Sequence, residues 1–227
     1  MNGAPAVEAT DVVKTYGDAA AVGPVDLRIE LGTRVVLLGH NGSGKTTLLR
    51  IVAGLLQPTS GTVTVMGQAA GSLAARSAAS YLGDQPSFYD DLSLREHLEY
   101  IARLHDTTDW EDRATDLVDL LGLGDRADEL PTTFSRGLRQ KAAIALAFVR
   151  PFDVLLVDEP FVGLDLAGRQ ALLELFVRSH AAGAALLVAT HELATVAAAE
   201  RIVALRDGLV VFDGPTAEAD VDRLVTR

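Results

Sequence analysis

The chain has 227 residues, a formal net charge of −11 at pH 7 and no cysteine. The length is enough for one large domain with its own core, and a chain without cysteine has no disulfides, thiolate metal sites or cysteine nucleophiles. A protein that binds nucleic acid non-specifically needs a net basic face, so the acidic balance argues against a nucleic-acid partner. No apolar run approaches the roughly 20 residues that span a bilayer, and the first residues do not resemble a signal peptide. We therefore expect a cytoplasmic α/β protein whose role at a membrane, if any, depends on a partner.

The first third of the chain is rich in predicted strands. A glycine-rich segment at 39–44 separates one of these strands from a helical periodicity over 45–56. The strands are predicted from runs of β-branched and apolar residues at 7–16, 25–30, 34–38 and 62–66.

The middle third is predicted to be helical. Ser93 and Glu96 form a capping box ahead of leucines at helical spacing, and Thr108 and Glu111 form a second one. Ser135 is predicted to cap a third helix.

The last third alternates strands and helices. Asp165 is predicted to cap one helix, residues 192–199 form a second short helix, and Asp207-Gly208 makes a hairpin turn. Strands are predicted at 154–157, 184–190, 202–205 and 209–212. We expect a single domain, 1–227, with an α/β core at 1–85 and 151–227 and a helical part at about 86–150.

Residues 39–46 (GHNGSGKT) fit the phosphate-loop pattern G-x-x-x-x-G-K-[ST], and they lie between a predicted strand and a predicted helix. In such a loop the backbone N–H groups and the helix N-terminus face the phosphates. Lys45 is expected to reach the β- and γ-phosphates and Thr46 to coordinate Mg²⁺. The residues expected to bind the nucleotide are Gly39, Asn41, Gly42, Ser43, Gly44, Lys45, Thr46 and Thr47.

A second acidic site follows the apolar strand at 154–157. Two carboxylates, Asp158 and Glu159, end this strand, where burial is costly unless a cation or water uses them. Because adjacent strand residues point to opposite faces, the two acids are expected to have different roles. Asp158 is predicted to face Mg²⁺ and Glu159 to orient or deprotonate the attacking water.

Between these two sites lies TFSRGLRQ, at 133–140, and here the sequence resembles ABC ATPases, the nucleotide-binding subunits of ABC transporters. The resemblance covers nearly the whole chain, and the motifs follow the family's order. The matched positions are Tyr16 (adenine stacking), 39–46 (Walker A), Ser135 and Gly137 (signature), Asp158 and Glu159 (Walker B and catalytic glutamate), Asp165 (D-loop) and His191 (switch histidine).

The resemblance implies an α/β P-loop NTPase fold of the ABC-cassette type. It has a RecA-like mixed β core, an N-terminal antiparallel β subdomain and a helical subdomain. It further implies head-to-tail pairing of two cassettes, the same chain or a paralogue, around two Mg-ATP, with His191 and Lys45 beside Glu159 at the reacting phosphate.

Two motifs depart from the family pattern. The signature reads FSRGL, a form similar to that of ABC-2-type exporters and of the haem-exporter ATPases of cytochrome c maturation. At the Q-loop, Asp84 occupies the expected glutamine position and Gln85 follows it. Either residue is a candidate for contacting Mg²⁺ or its water, and the sequence does not choose between them.

A transporter motor is the first interpretation: the chain would lie on the inner face of the cell membrane, bound to a separate membrane subunit and driving export. Phe88, Tyr89 and Leu92 are candidates for contacting that subunit, and the alternative is that they cover the core of the helical part itself. The alternatives are a non-transport ABC ATPase, such as an Fe–S cluster assembly ATPase, and an unrelated P-loop kinase or GTPase. The second alternative leaves the signature unexplained, and no guanine-recognition N-K-x-D motif is present.

Overall fold

The computed structural model describes residues 3–190 and 192–225, which contain ten strands and eight α-helices. The strands are β1 (Val7–Tyr16), β2 (Ala19–Ile29), β3 (Arg34–Leu38), β4 (Ser60–Val65), β5 (Gln68–Ala69), β6 (Ala79–Leu82), β7 (Val154–Asp158), β8 (Ala185–Ala189), β9 (Arg201–Arg206) and β10 (Leu209–Pro215). The helices are α1 (Lys45–Val52), α2 (Leu73–Ala78), α3 (Leu94–Leu104), α4 (Trp110–Leu120), α5 (Arg136–Phe148), α6 (Leu166–Ala181), α7 (Leu193–Ala198) and α8 (Val221–Val225).

The described chain divides into two compact units. The first unit comprises residues 3–81, Phe152–Glu159 and 179–225 without His191, and the second comprises Leu82–Pro151 and Pro160–Arg178. The segment Pro160–Arg178, which the sequence interpretation assigns to the α/β core, thus groups with the helical residues.

The first unit contains two sheets. One is antiparallel, in the order β2-β1-β4-β5, and the other is mixed, in the order β10-β9-β3-β8-β7-β6. In the mixed sheet β3 pairs in parallel with β8 and β9, and β7 pairs in parallel with β8. All five residues of β7 and all five of β8 are buried, as expected for apolar strands covered on both faces. This combination of an antiparallel sheet, a mixed sheet and helices confirms the predicted fold class.

The second unit is mostly helical. Helices α3, α4 and α5 pack on one another, with Leu98, Leu117 and Ile144 among the buried side chains. Phe176 lies with its ring 6.3 Å from that of Phe161 and 6.5 Å from that of Phe148. Within residues 3–190 and 192–225, no helix is both long enough and apolar enough to cross a membrane.

The helix starts test the capping predictions directly. Ser93 and Glu96 form the predicted capping box, and Ser135 and Asp165 accept hydrogen bonds at the starts of α5 and α6. The second capping box is wrong. Asp109, not Thr108, is the N-cap of α4, and it makes no side-chain cap hydrogen bond.

Two other local predictions differ from the structure. The first helix ends at Val52 rather than at residue 56, because Gly54 has φ +70° and turns the chain out of the helix. Helix α2, capped by the Ser72 side chain, was not predicted because its six residues are too short to show a period. The predicted hairpin is confirmed, with β9 and β10 antiparallel around Asp207 and Gly208, both at positive φ.

Candidate functional site

The loop between β3 and α1 is shaped by glycines in the first unit. Gly39, Gly42 and Gly44 have φ of 147°, 84° and 104°, which strain any residue with a Cβ. Gly44 is also the N-cap of α1, and a Cβ added there would lie 2.6 Å from the Ala21 carbonyl oxygen. Because this N-cap is a glycine, it has no side chain that could accept from the first N–H groups of α1.

Lys45 opens α1 and is 8% exposed. Its Nζ donates to the carbonyl oxygens of Gly39 at 2.6 Å and His40 at 3.2 Å. Burial lowers the pKa of the Lys45 ammonium, and the negative charges of Glu159 and Asp158 oppose that shift. The structure therefore brings the loop lysine into the electrostatic field of both predicted acids.

Asp158 and Glu159 occupy different backbone environments at the end of β7. Asp158 is the last residue of the strand and is fully buried. Glu159 lies past the strand with φ +43°, although its N–H still donates to the Ala189 carbonyl at 2.8 Å. A left-handed φ at a non-glycine residue costs free energy and occurs often at functional sites. The alternation of a regular strand therefore does not set the direction of Glu159, contrary to the sequence argument.

The other loop residues differ in exposure. Asn41 and Gly42 are exposed at the loop tip, and Thr46 and Thr47 are half-buried in the first turn of α1. Ser43 is buried, its N–H donates to the His40 carbonyl at 3.1 Å, and its Oγ has no hydrogen-bond partner among the described residues.

The β9–β10 turn supports this loop, a contact that sequence reasoning missed. The Gly208 N–H donates to the Ser43 carbonyl at 3.1 Å, and the Gly208 carbonyl accepts from Gly23 N–H at 2.8 Å. His40 Nε2 lies 3.7 Å from the Asp207 carboxylate. The Asp-Gly pair identified the turn, but nothing in the sequence identified what it contacts.

Tyr16 ends β1 and is 56% exposed, so its ring does not pack in the core. The Lys14 ammonium lies 5.3 Å from the centre of its ring, within cation–π range. The ring is thus available at the surface of the first unit.

In the second unit, Ser135 and Gly137 lie at the start of α5. Ser135 is the exposed N-cap, and its Oγ accepts from the Leu138 N–H at 3.3 Å. Gly137 is half-buried, and a Cβ there would lie 2.6 Å from the Gly163 carbonyl oxygen. Only glycine permits this close approach between α5 and the 160–165 segment.

The same helix holds Asp165. Lys141, 8% exposed, donates from Nζ to the Asp165 carboxylate at 3.1 Å, and Gln140 Nε2 donates to the Pro160 carbonyl at 3.0 Å. A hydrogen bond from Gly168 N–H and then the one from Lys141 lower the pKa of the Asp165 carboxyl. Sequence reasoning missed Gln140 and Lys141, whose partners lie 20 or more residues away.

Asp84 and Gln85 are exposed residues of the second unit, and His191 lies outside the described residues. No three His, Cys, Asp or Glu residues in the described ranges lie close enough to hold a metal ion by themselves.

The first-unit site fits a phosphate-bearing ligand. It combines a positive-φ loop, an α1 start without a side-chain cap, one buried ammonium and a buried carboxylate at the adjacent strand end. Helix N-termini and turned backbone N–H groups bind phosphate oxygens, and a buried lysine adds charge.

Three curated relatives cover most of the chain. An ABC transporter ATP-binding protein of Halobacterium salinarum is 38% identical over 218 residues, 92% of each chain. The daunorubicin/doxorubicin resistance ATP-binding protein DrrA of Streptomyces peucetius is 35% identical and covers 96% of this chain and 68% of DrrA. The aliphatic sulfonates import ATP-binding protein SsuB of Pseudomonas putida is 36% identical and covers 88% of this chain and 73% of SsuB.

The family model described as ABC transporter matches residues 22–162. A solved structure of an ATP-binding subunit of an ABC transporter has a TM-score of 0.89 and 29% identity, covering 96% of this chain and 97% of that one. The dimeric cassette MJ0796, bound to ADP and phosphate, has a TM-score of 0.84 and 26% identity, covering 92% of this chain and 98% of that one.

Proposed function

The chain belongs to the family of ABC transporter ATP-binding proteins and is an ATP-binding P-loop ATPase. From this premise we propose that it is the motor subunit of an exporter, in which residues 39–47 bind ATP and Glu159 acts on the attacking water. The observation that carries the proposal is Lys45, a buried ammonium in the phosphate loop that lies in the field of Asp158 and Glu159.

The proposal gives separate roles to the phosphate loop, to Tyr16 and to the residues at the γ-phosphate. The N–H groups at the start of α1 donate to phosphate oxygens, and Lys45 exchanges its carbonyl partners for the β- and γ-phosphates. Tyr16, exposed at the end of β1, stacks on the adenine ring. We assign Glu159 and His191 to the γ-phosphate, where Glu159 orients or deprotonates water.

The residues present also suit Mg²⁺. We assign it the Thr46 hydroxyl, the Asp158 carboxylate through water, and Asp84 or Gln85, since Mg²⁺ combines one or two carboxylates with substrate phosphates and waters. When bound, the ion offsets phosphate charge. If alanine at Asp84 and alanine at Gln85 each left ATP hydrolysis unchanged, neither residue would have this role.

Pairing of two cassettes completes the proposed site. The exposed Ser135 and the start of α5 offer a hydroxyl and N–H groups to the γ-phosphate bound by the other cassette, and Gly137 keeps α5 close to the 160–165 segment. The similar cassette MJ0796 is dimeric, which supports the pairing of two cassettes. The second cassette is a copy of this chain or a paralogue.

The proposed membrane subunit docks on the second unit. Tyr89, Tyr100 and Leu104 are exposed, while Phe88 and Leu92 beside them are half-buried. We call these five residues the docking surface. Asp90 and Asp91 are exposed next to it, so a helix with apolar and basic residues fits it best. The complex would lie on the cytoplasmic face of the cell membrane, and export is supported by the S-R-G form of the signature.

Purification of the tagged chain from detergent-solubilised membranes of its own organism tests the proposal. We expect a polytopic membrane protein to co-purify, and a variant with serine at Tyr89 and Leu104 to lose it while still hydrolysing ATP. A control variant replaces Leu73 and Val211, two exposed apolar residues of the first unit, with serine. Recovery of soluble partners alone, such as Fe–S assembly proteins, would contradict the transporter assignment.

A further inference from the structure

His97 lies directly beneath the docking surface. It is the fourth residue of α3 and 3% exposed, so its imidazole is part of the interior of the second unit. Buried imidazoles need partners for both ring nitrogens, and these partners define the tautomer.

Both ring nitrogens of His97 have a hydrogen-bond partner. The Tyr89 N–H donates to His97 Nε2 at 2.9 Å, so Nε2 is an acceptor and carries no proton. Nδ1 lies 2.8 Å from the Ser93 carbonyl oxygen, which can only accept, so Nδ1 carries the proton. The two contacts together require a neutral ring in the Nδ1–H tautomer.

The ring also contacts both aromatic residues of the preceding loop. Its centre lies 5.6 Å from the ring of Phe88, edge to face, and 5.9 Å from the ring of Tyr89, stacked. Tyr89 in turn lies 5.5 Å from Tyr100, edge to face. One side chain thus holds the Tyr89 backbone and packs on two of the docking surface's aromatic residues.

The helix start fixes His97 in place. Ser93 N–H donates to the Glu96 carboxylate at 2.7 Å, and the Glu96 N–H donates back to Ser93 Oγ at 3.2 Å. Ser93 is the N-cap of α3 and its carbonyl accepts from the His97 N–H at 3.0 Å, so the acceptor that it offers to Nδ1–H is held in position by α3 itself.

We propose that His97 is the positioning residue of the docking surface: its neutral Nδ1–H imidazole links the start of α3 to the Tyr89 backbone and fixes how Phe88 and Tyr89 face the membrane subunit. The partner's identity rests on the proposed function, but the hydrogen bonding of His97 does not. No other side chain supplies a flat aromatic ring, a donor at the δ position and an acceptor at the ε position together.

The first test is spectroscopic and uses the full chain alone. ¹⁵N NMR of the histidine side chains at neutral pH should give His97 a protonated Nδ1 and an unprotonated Nε2. An Nε2–H tautomer or a charged ring would overturn the proposal, because neither form accepts from Tyr89 N–H.

A matched pair of variants separates this role from simple packing. Asparagine at His97 keeps a donor at the δ position only, whereas glutamine places an amide oxygen near the position of Nε2. We expect His97→Asn to speed hydrogen exchange of the Tyr89 amide roughly tenfold and His97→Gln to restore most of the protection. His105→Asn, at the other end of α3, is the control and should leave this amide protected.

The same variants test the consequence for docking. With the polytopic protein that co-purifies with the wild type, we expect a lower yield for His97→Asn than for His97→Gln. Equal exchange rates or equal yields for the two variants would overturn the positioning role. If no membrane protein co-purifies with any form, the docking function fails, and NMR and exchange still decide the hydrogen bonding.

Discussion

The two helix starts of the proposed ATP site, α1 in the first unit and α5 in the second, are built differently. The N-cap of α1 is Gly44, which has φ 104° and makes no side-chain cap hydrogen bond. The N-cap of α5 is Ser135, whose Oγ accepts from the Leu138 N–H. The start of α1 is open to a ligand because no side chain of its N-cap occupies it. The start of α5 is already capped by Ser135, the side chain that we assign to the ligand.

Because of this difference, the effect of a substitution on ATP binding can be separated from its effect on folding more easily at α1 than at α5. In the proposed site, the backbone at α1 and Lys45 bind ATP, so substitutions there are expected to change ATP affinity and the strain of the loop. At α5 one serine both caps the helix and offers its hydroxyl proton, so its loss affects folding and ATP turnover together.

The largest effect is expected at the end of β7, next to the α1 site. Glu159→Gln should lower kcat for ATP hydrolysis roughly 10²- to 10⁴-fold while ATP still binds, because the amide cannot deprotonate water. Steady-state ATPase assays with equilibrium ATP binding measure both quantities. Glu218→Gln, an exposed carboxylate of the first unit, is the control. Wild-type turnover by the Glu159→Gln variant would remove Glu159 from catalysis.

The next largest effect is expected on ATP affinity, and it is tested by comparing two lysines of equal burial. Lys45→Met should weaken ATP binding roughly 10- to 100-fold, since hydrogen bonds to charged groups contribute about 1.5–3 kcal/mol. Lys141→Met removes an equally buried ammonium from α5. It should leave ATP affinity of the isolated chain within about twofold. Equal losses for both variants would show that burial of the charge, not the α1 site, sets the affinity.

Two glycines of the phosphate loop test how much backbone conformation and close packing each contribute to stability. Gly44→Ala combines φ 104° with a Cβ 2.6 Å from the Ala21 oxygen, and it should destabilise the protein by about 1–3 kcal/mol. Gly42 has φ 84° but open space where a Cβ would lie, so Gly42→Ala should cost only the free energy of a left-handed φ, which is smaller. Denaturant unfolding compares them, and a larger cost at Gly42 would contradict the close approach at Gly44.

Two serine caps of the second unit test the dual role of Ser135. Ser135→Ala and Ser93→Ala should each lower the free energy of unfolding by about 1 kcal/mol. Only Ser135→Ala should also lower ATPase activity at protein concentrations where cassettes pair. If Ser93→Ala lowered activity as much, the loss would follow from stability alone.

The smallest expected effect is a dependence of ATP affinity on pH. Burial lowers the pKa of Lys45 below its ordinary 10.5, so its ammonium loses the proton earlier as pH rises. ATP affinity should therefore fall on the alkaline side before an ordinary lysine would deprotonate, and Lys45→Arg should be flat over the same range. Isothermal titration across this pH series checks the sign, and an affinity that rises with pH would contradict it.

Much of the site could be predicted from the sequence because its parts are local. Residues 39–46 lie contiguously between a strand and a helix, and Ser135 caps its own helix through a residue three positions on. Capping is not fixed by pattern alone, however. Thr108 matched the capping-box pattern as well as Ser93 did, but α4 begins one residue later, at Trp110.

Contacts between distant segments were not predictable. The support of Ser43 by Gly208 joins residues 165 positions apart, and Lys141 reaches Asp165 across 24 positions. Nothing in either segment alone encodes such a pairing, because it depends on how strands and helices pack. His97 is similar: its helical position showed in the sequence, but its two hydrogen bonds and its ring contacts did not.

By itself, the sequence determined the phosphate loop, the acidic strand end, the signature segment and the alternation of strands and helices. These depend on local spacing, which the periods of strand and helix translate directly into structure. Only the tertiary structure decided that Lys45 lies in the field of Asp158 and Glu159, that Tyr16 is exposed, and that His97 is buried beneath Tyr89. Burial and electrostatic proximity are properties of the packed chain, and no local pattern specifies them.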